Sequence, residues 1–97
     1  LKKAWKFKSY VLLLNEKIMD KKEVQKRVKN VVATVLKIDE TEIADDANFI
    51  FDLGADSLQS VQLIAAFEEE FDIEMDEDKA LEIQTISASV DFITSYF

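Results

Sequence analysis

Residues 49–71 read FIFDLGADSLQSVQLIAAFEEEF, and the fold follows from how this stretch divides. Gly54 is the chain's only glycine, just ahead of Asp56 and Ser57. Asp56 is a favoured N-cap residue, and Gln59 three positions on completes the pattern of a capping box. The spacing predicts a helix from about Ser57 to Phe71, with Ser57 in its first turn. The Ser57 hydroxyl then points outward near unpaired backbone N–H groups. Helix N-termini favour phosphate, so a phosphate ester on Ser57 is well placed there. Taken alone, Ala55-Asp56-Ser57 is only a helix cap. At 100° per residue, Ser60, Leu63, Ile64, Phe67 and Phe71 share one face, the core side. Leu58, Val61 and Ala65 cluster opposite, beside Gln62, Glu68 and Glu69. Either the helix is buried on both sides, or it shows an apolar strip rimmed by acids. The second is the form of a transient docking surface and is the reading preferred.

Ninety-seven residues bound one domain with a small core. The absence of cysteine excludes disulfides, a thiolate nucleophile and thiolate metal sites. Without histidine, the commonest general base and metal ligand is missing as well. Classical triads and zinc sites are excluded, so no catalytic or metal-ligating residues are assigned. Any thiol in the chemistry has to come from an attached group. With no proline and one glycine, long helices are expected and hairpins are not. The net charge of -8 is unevenly spread. Residues 1–30 hold ten cations and three acids; residues 31–97 hold seventeen acids and two cations. A folded part of that charge selects partners with basic surfaces and disfavours nucleic acid. No apolar run approaches the ~18 residues of a membrane span.

Leu1 to Ile18, LKKAWKFKSYVLLLNEKI, is basic, aromatic and poor in acids. Three readings compete: an organellar targeting remnant, a surface-active amphipathic segment, or translation upstream of the natural domain. The third is preferred, because Asp20-Lys21-Lys22-Glu23 is a capping box that opens the first clean helix after Met19. From Lys21, the residues Val24, Val28, Val31, Val32, Val35 and Leu36 form one buried stripe. Lys22, Lys26, Arg27 and Lys29 are expected on its outer side. Asp39 to Gly54 has no sustained period. Ile38, Ile43, Phe49 and Leu53 are spaced like anchors pinning a long loop to a core, and such loops are often functional. Asp72 to Asp78 alternates oxygens like a calcium loop. It lacks the glycine at the sixth position and the glutamate at the twelfth, where Glu77 and Ile83 stand. A short helix from Asp76 to Leu81 fits better. Thr85 then caps a last helix with Ile86, Val90 and Ile93 inward and Tyr96 and Phe97 at its end.

The expected fold is all-α: a small acidic four-helix bundle, three helices longer and one short, with a long first loop. At this point the chain resembles a known family. Asp52-Leu53-Gly54-Ala55-Asp56-Ser57-Leu58 looks like the phosphopantetheine attachment motif of acyl carrier proteins, of the fatty-acid-synthesis type. Phe49 ahead of the motif, Glu68-Glu69-Glu70-Phe71 after it and Thr85 further on agree. The resemblance covers about Met19 to Tyr96.

The resemblance implies that Ser57 carries 4'-phosphopantetheine. A phosphopantetheinyl transferase would move the arm from coenzyme A, using Mg²⁺ that belongs to that enzyme. Asp56 would help orient the transferase and its metal, Gly54 would let the backbone turn, and Leu58 completes the motif. The arm's thiol would carry acyl thioesters to acyl-transfer, condensing and reducing enzymes with basic docking surfaces. Leu58, Val61, Gln62, Ala65, Glu68 and Glu69 would form the docking face. Leu63, Phe67, Met75, Ala80 and Ile83 would line the acyl cleft. Such a carrier is expected to be non-catalytic, monomeric and in the bacterial cytoplasm, or in an organelle if residues 1–18 are a targeting remnant. The chain departs from the pattern at Gln59, Gln62 and Phe51, where acids are usual, at Asp76 for a proline, and at Phe67 for a leucine. Gln59 and Gln62 remove two negative charges from the docking helix and raise a second reading, a carrier dedicated to one polyketide, lipid or modified acyl group. Phe67 is also expected to shorten the cleft. A peptidyl carrier is less favoured, since Ala55-Asp56 stands where Gly-Gly-His or Gly-Gly-Asp is commoner. A carrier-like interaction subunit without the arm is disfavoured by the intact Ser57.

Overall fold

The computed structural model describes residues 20–97. The readings of residues 1–18, and of Met19 as a natural start, lie outside the described residues.

Helix α1 spans Lys21–Leu36. Asp20 opens it by accepting the Glu23 N–H at 2.9 Å. Val24, Val28, Val31 and Val32 are buried, while Val35 and Leu36 are half-buried against the same core. Five valines lower its intrinsic propensity, so packing holds it helical. Lys22 and Lys26 are exposed as expected. Arg27 and Lys29 depart from expectation, because each is tied to another element. Arg27 donates from Nε to the Glu70 carboxylate and from Nη2 to the Glu70 carbonyl, both at 2.7 Å. Its guanidinium lies 4.8 Å from the centre of the Phe71 ring. Lys29 pairs with Asp45. Long cationic side chains reach along apolar surface to distant partners, which a helical wheel does not encode.

The long connection is irregular but heavily bonded. It begins with a 3-10 turn at Glu40–Glu42, capped by Asp39. Ile43, Ala47 and Phe49 are buried, and Ile38 and Leu53 half-buried, so the expected anchors do pin it down. Asn48 bridges to Thr85, with Phe49 N–H donating to the Gln84 carbonyl at 2.9 Å and Ile86 N–H to the Ala47 carbonyl at 3.0 Å. The loop is thereby fastened to the start of the last helix.

Helix α2 spans Ser57–Phe71, as the spacing predicts. Both bonds of its capping box are present: Gln59 N–H to Asp56 at 2.7 Å, and Asp56 N–H to Gln59 Oε1 at 3.1 Å. Leu63, Phe67 and Phe71 are buried and Ser60 and Ile64 half-buried. Helix α3 is Glu77–Leu81, with Asp76 as its cap rather than its first residue. Helix α4 is Ile86–Thr94, capped by Thr85. Tyr96 and Phe97 follow it and tie the end down. The Tyr96 hydroxyl accepts the Asp76 N–H at 3.3 Å, and the Phe97 ring sits 6.3 Å from that of Phe71.

The described residues contain no strand, and the fold is the small helical bundle expected. Helix α1 packs on both α2 and α4, and α3 packs on α2. The space that α2, α3 and α4 leave between them becomes the cleft described next.

Candidate functional site

The turn into α2 sets the site. Asn48 Oδ1 accepts the N–H groups of Ile50 and Phe51, and Asp52 returns a carboxylate oxygen to the Asn48 N–H at 2.7 Å. Gly54 N–H then donates to the Ile50 carbonyl at 3.0 Å, and Ala55 N–H to the Phe49 carbonyl at 2.8 Å. Gly54 has φ +76°, the left-handed region that favours glycine. A Cβ there would meet nothing within 4 Å, so backbone conformation and not crowding selects the residue. Asp52, given no role from sequence, is thus a clasp that closes the turn.

Ser57 is the first residue of α2 and is exposed. Its hydroxyl has no hydrogen-bond partner among the described residues. The first-turn N–H groups lack intrahelical acceptors by the geometry of any helix start. Asp56 beside it is also exposed, with one carboxylate oxygen on the Gln59 N–H.

Two surfaces meet at Ser57. One is an apolar cleft of about 330 Å³. All five expected residues line it: Leu63, Phe67, Met75, Ala80 and Ile83. Sequence reasoning missed Phe49, Ile50, Ser60, Ile64, Leu81, Gln84, Ser89 and Ser57 itself. Ser60 and Ile64 were legible as core-face positions; the others face the cleft through loop and helix packing that no period encodes. Phe67 packs against Phe49 with ring centres 6.4 Å apart, so the two rings form part of its wall.

The other surface is the outer side of α2. Leu58 is 66 % exposed and Val61 51 %, with Gln62, Ala65 and Glu69 exposed beside them. The helix is not buried on both sides. Val61 also lines the cleft, so it marks the border between the two surfaces. Glu68 differs from expectation, being half-buried with its carboxylate accepting the Met75 N–H at 3.0 Å. One of its oxygens holds the α2–α3 link, and Glu69 is the freer charge. Gln59 is half-buried in the capping box, so its exchange for an acid bears first on the cap. Beyond α2, Ile50, Leu81 and Phe51 are exposed apolar residues too, the last 85 % exposed.

An exposed hydroxyl at a helix start, an apolar bore opening beside it and an acid-rimmed strip along the same helix suit a tethered cargo. The chain has no histidine to serve as a general base on the serine. A family model, the phosphopantetheine attachment site, matches residues 26–93. The chain belongs to that family. The match runs from Lys26 in α1 to Ile93 in α4 and takes in the whole turn, the cleft and the strip. Members of the phosphopantetheine attachment family carry acyl or peptidyl groups on covalent 4'-phosphopantetheine, and they are generally non-catalytic substrates of a phosphopantetheinyl transferase. The residues present fit that group, since an unbonded, solvent-facing hydroxyl beside an apolar bore leaves room for an ester and for what it carries.

Proposed function

We propose that Ser57 is the attachment residue and that the protein delivers acyl thioesters to partner enzymes of fatty-acid biosynthesis in the bacterial cytoplasm. One observation carries this reading: Ser57 stands where the mouth of the cleft meets the exposed strip of α2. An arm rooted there reaches inward to shelter its cargo and outward to present it. The bound arm supplies the thiol that the chain lacks. Asp56 keeps one carboxylate oxygen free of the cap for the transferase and its Mg²⁺. Leu58, Val61 and Ala65 provide apolar contact, and Glu69 meets Arg or Lys on the partner. Charge steering of this kind raises on-rate more than affinity and fades with salt. Weak docking suits a carrier that must release each enzyme in turn.

The acyl type is favoured over the peptidyl type by Ala55-Asp56 ahead of the serine. Phe51 supports the second reading, a carrier dedicated to one acyl group, because an exposed aromatic replaces the usual acid six residues from Ser57. Identification of the acyl group on the native protein separates the two.

The direct test is intact mass after incubation with coenzyme A, Mg²⁺ and a broad-specificity transferase. We expect a gain of one phosphopantetheine that is absent in Ser57→Ala. No gain, under conditions that modify a control carrier, overturns the reading.

A further inference from the structure

Among the described residues, Ser89 is the one polar side chain in the buried set, only 2 % exposed. It lies in the middle of α4 and on the wall of the cleft. The facing walls, Leu63, Phe67 and Ala80, are apolar and equally dry, whereas Val61 and Leu81 at the mouth are about half exposed. The cleft therefore runs from a wet mouth to a dry interior, and Ser89 belongs to the interior. Alanine would fill this place, is the better helix former and carries no hydroxyl to bury.

The direction of its hydrogen bond gives the hydroxyl a specific character. Ser89 Oγ donates to the Thr85 carbonyl at 2.9 Å. Its one proton is committed, and its acceptor lone pairs remain. Ser60, nearer the mouth, repeats the arrangement by donating to the Asp56 carbonyl at 3.0 Å. Both serines thus meet the cleft as acceptors. A hydroxyl on a bound chain finds a partner for its proton there. A keto oxygen is met only if a serine gives up its bond to the backbone carbonyl, and an unsubstituted chain gains nothing from them. In a dry bore, a polar group on the chain is costly to bury without such a partner.

We propose that Ser89 makes the cleft selective for acyl chains bearing a hydroxyl partway along their length, over keto or unsubstituted chains of equal length. Ser60 assists closer to the mouth. The inference rests on Ser57 as the attachment residue, and the test separates the two. The holo protein is charged with a series of one chain length: unsubstituted, keto, and hydroxylated at successive carbons. Intact mass first shows whether each acyl group is on the arm. Failure of that step overturns the attachment reading, and this inference with it. Thioester hydrolysis rates are then measured for the wild type, Ser89→Ala and Ser60→Ala, whose folding is checked by thermal melts. In the wild type, protection should peak at one hydroxyl position, by about two- to tenfold over the keto and unsubstituted chains, as expected for one net hydrogen bond. In Ser89→Ala that peak should vanish, the hydroxylated chain falling to the level of the unsubstituted chain in the same variant. Equal protection across the wild-type series, or a peak that survives in Ser89→Ala, overturns the selectivity while leaving Ser57 as the attachment site.

Discussion

Gly54, Asp56 and Ser57 do three separable jobs within four residues. Gly54 supplies a positive φ of 76°, and no neighbour lies where its Cβ would be. Gly54→Ala should therefore destabilise the fold by about 1–2 kcal/mol through backbone strain alone. Gly54→Asn should recover part of it, because asparagine tolerates this region better. Urea denaturation of the two variants tests the claim, and equal stability for both would count against it. Asp56 combines a cap with an exposed charge. Asp56→Asn keeps a side-chain oxygen for the Gln59 N–H, so its melting midpoint should stay near wild type. Asp56→Ala should lose about 1 kcal/mol. If the free carboxylate oxygen serves the transferase, both should be modified more slowly, Asn included, by initial rates of mass gain. Wild-type rates for Asp56→Asn would reduce Asp56 to a cap. These features were readable from the sequence because capping is local: Asp56, Gln59 and Gly54 act over three residues or fewer. Asp52 was not readable as a clasp, since its partner Asn48 is fixed only once the loop is folded.

At the scale of elements, period and caps located α1, α2 and α4 closely, because each buries one stripe and opens on Asp or Thr. What escaped was the tertiary use of residues at the edge of a stripe. Arg27 looked like one more outer cation, yet it clamps the C-terminal end of α2 through Glu70 and Phe71. Both partners remain partly exposed, their side chains 24 % and 36 % accessible, so solvent screens the pair. Arg27→Ala should cost about 1 kcal/mol, and Arg27→Lys should recover little of it, lacking the planar fork and the ring contact. Denaturation midpoints check this, and full recovery by lysine would reduce the contact to plain charge attraction. The end of α1 offers the opposite sign. Lys37 holds φ 57° without being glycine. Lys37→Gly should raise stability by about 0.5–1 kcal/mol by relieving that strain, as glycine does at this position in many helices.

For the whole molecule, the helix count, the long first loop and the acidic character were all legible, since composition and pattern fix them. The cleft's lining was legible along the inner face of α2 from its period, and at Met75, Ala80 and Ile83 through the family resemblance; its remaining walls come from packing across the chain. Charge was legible as a sum but not as a balance, and the balance governs how stability depends on pH and salt. Asp39 is held below the usual carboxylate range by its bonds from Thr41, and Asp45 by the ammonium of Lys29. Carboxylates lowered on folding stabilise the native state above their unfolded value of 3.8, and that contribution is lost as pH falls through their folded values. Seventeen acids against two cations in residues 31–97 repel one another at neutral pH, and mild acidification relieves this. Stability should therefore rise as pH drops from 7 toward the sequence pI near 4.4, then fall as Asp39 and Asp45 protonate. If repulsion causes the rise, salt should substitute for acid. At pH 7, moving from a few millimolar to ~0.1 M salt shortens the screening length to ~10 Å and should raise the melting midpoint, each 1 kcal/mol of relief being worth about 4–8 °C. Millimolar Mg²⁺ or Ca²⁺ should do the same at lower concentration. Near the pI the salt effect should shrink or change sign, because the repulsion is gone while the Lys29–Asp45 pair is still screened. A salt-induced rise of the same size at both pH values would show that it comes from general surface exclusion rather than from these acids.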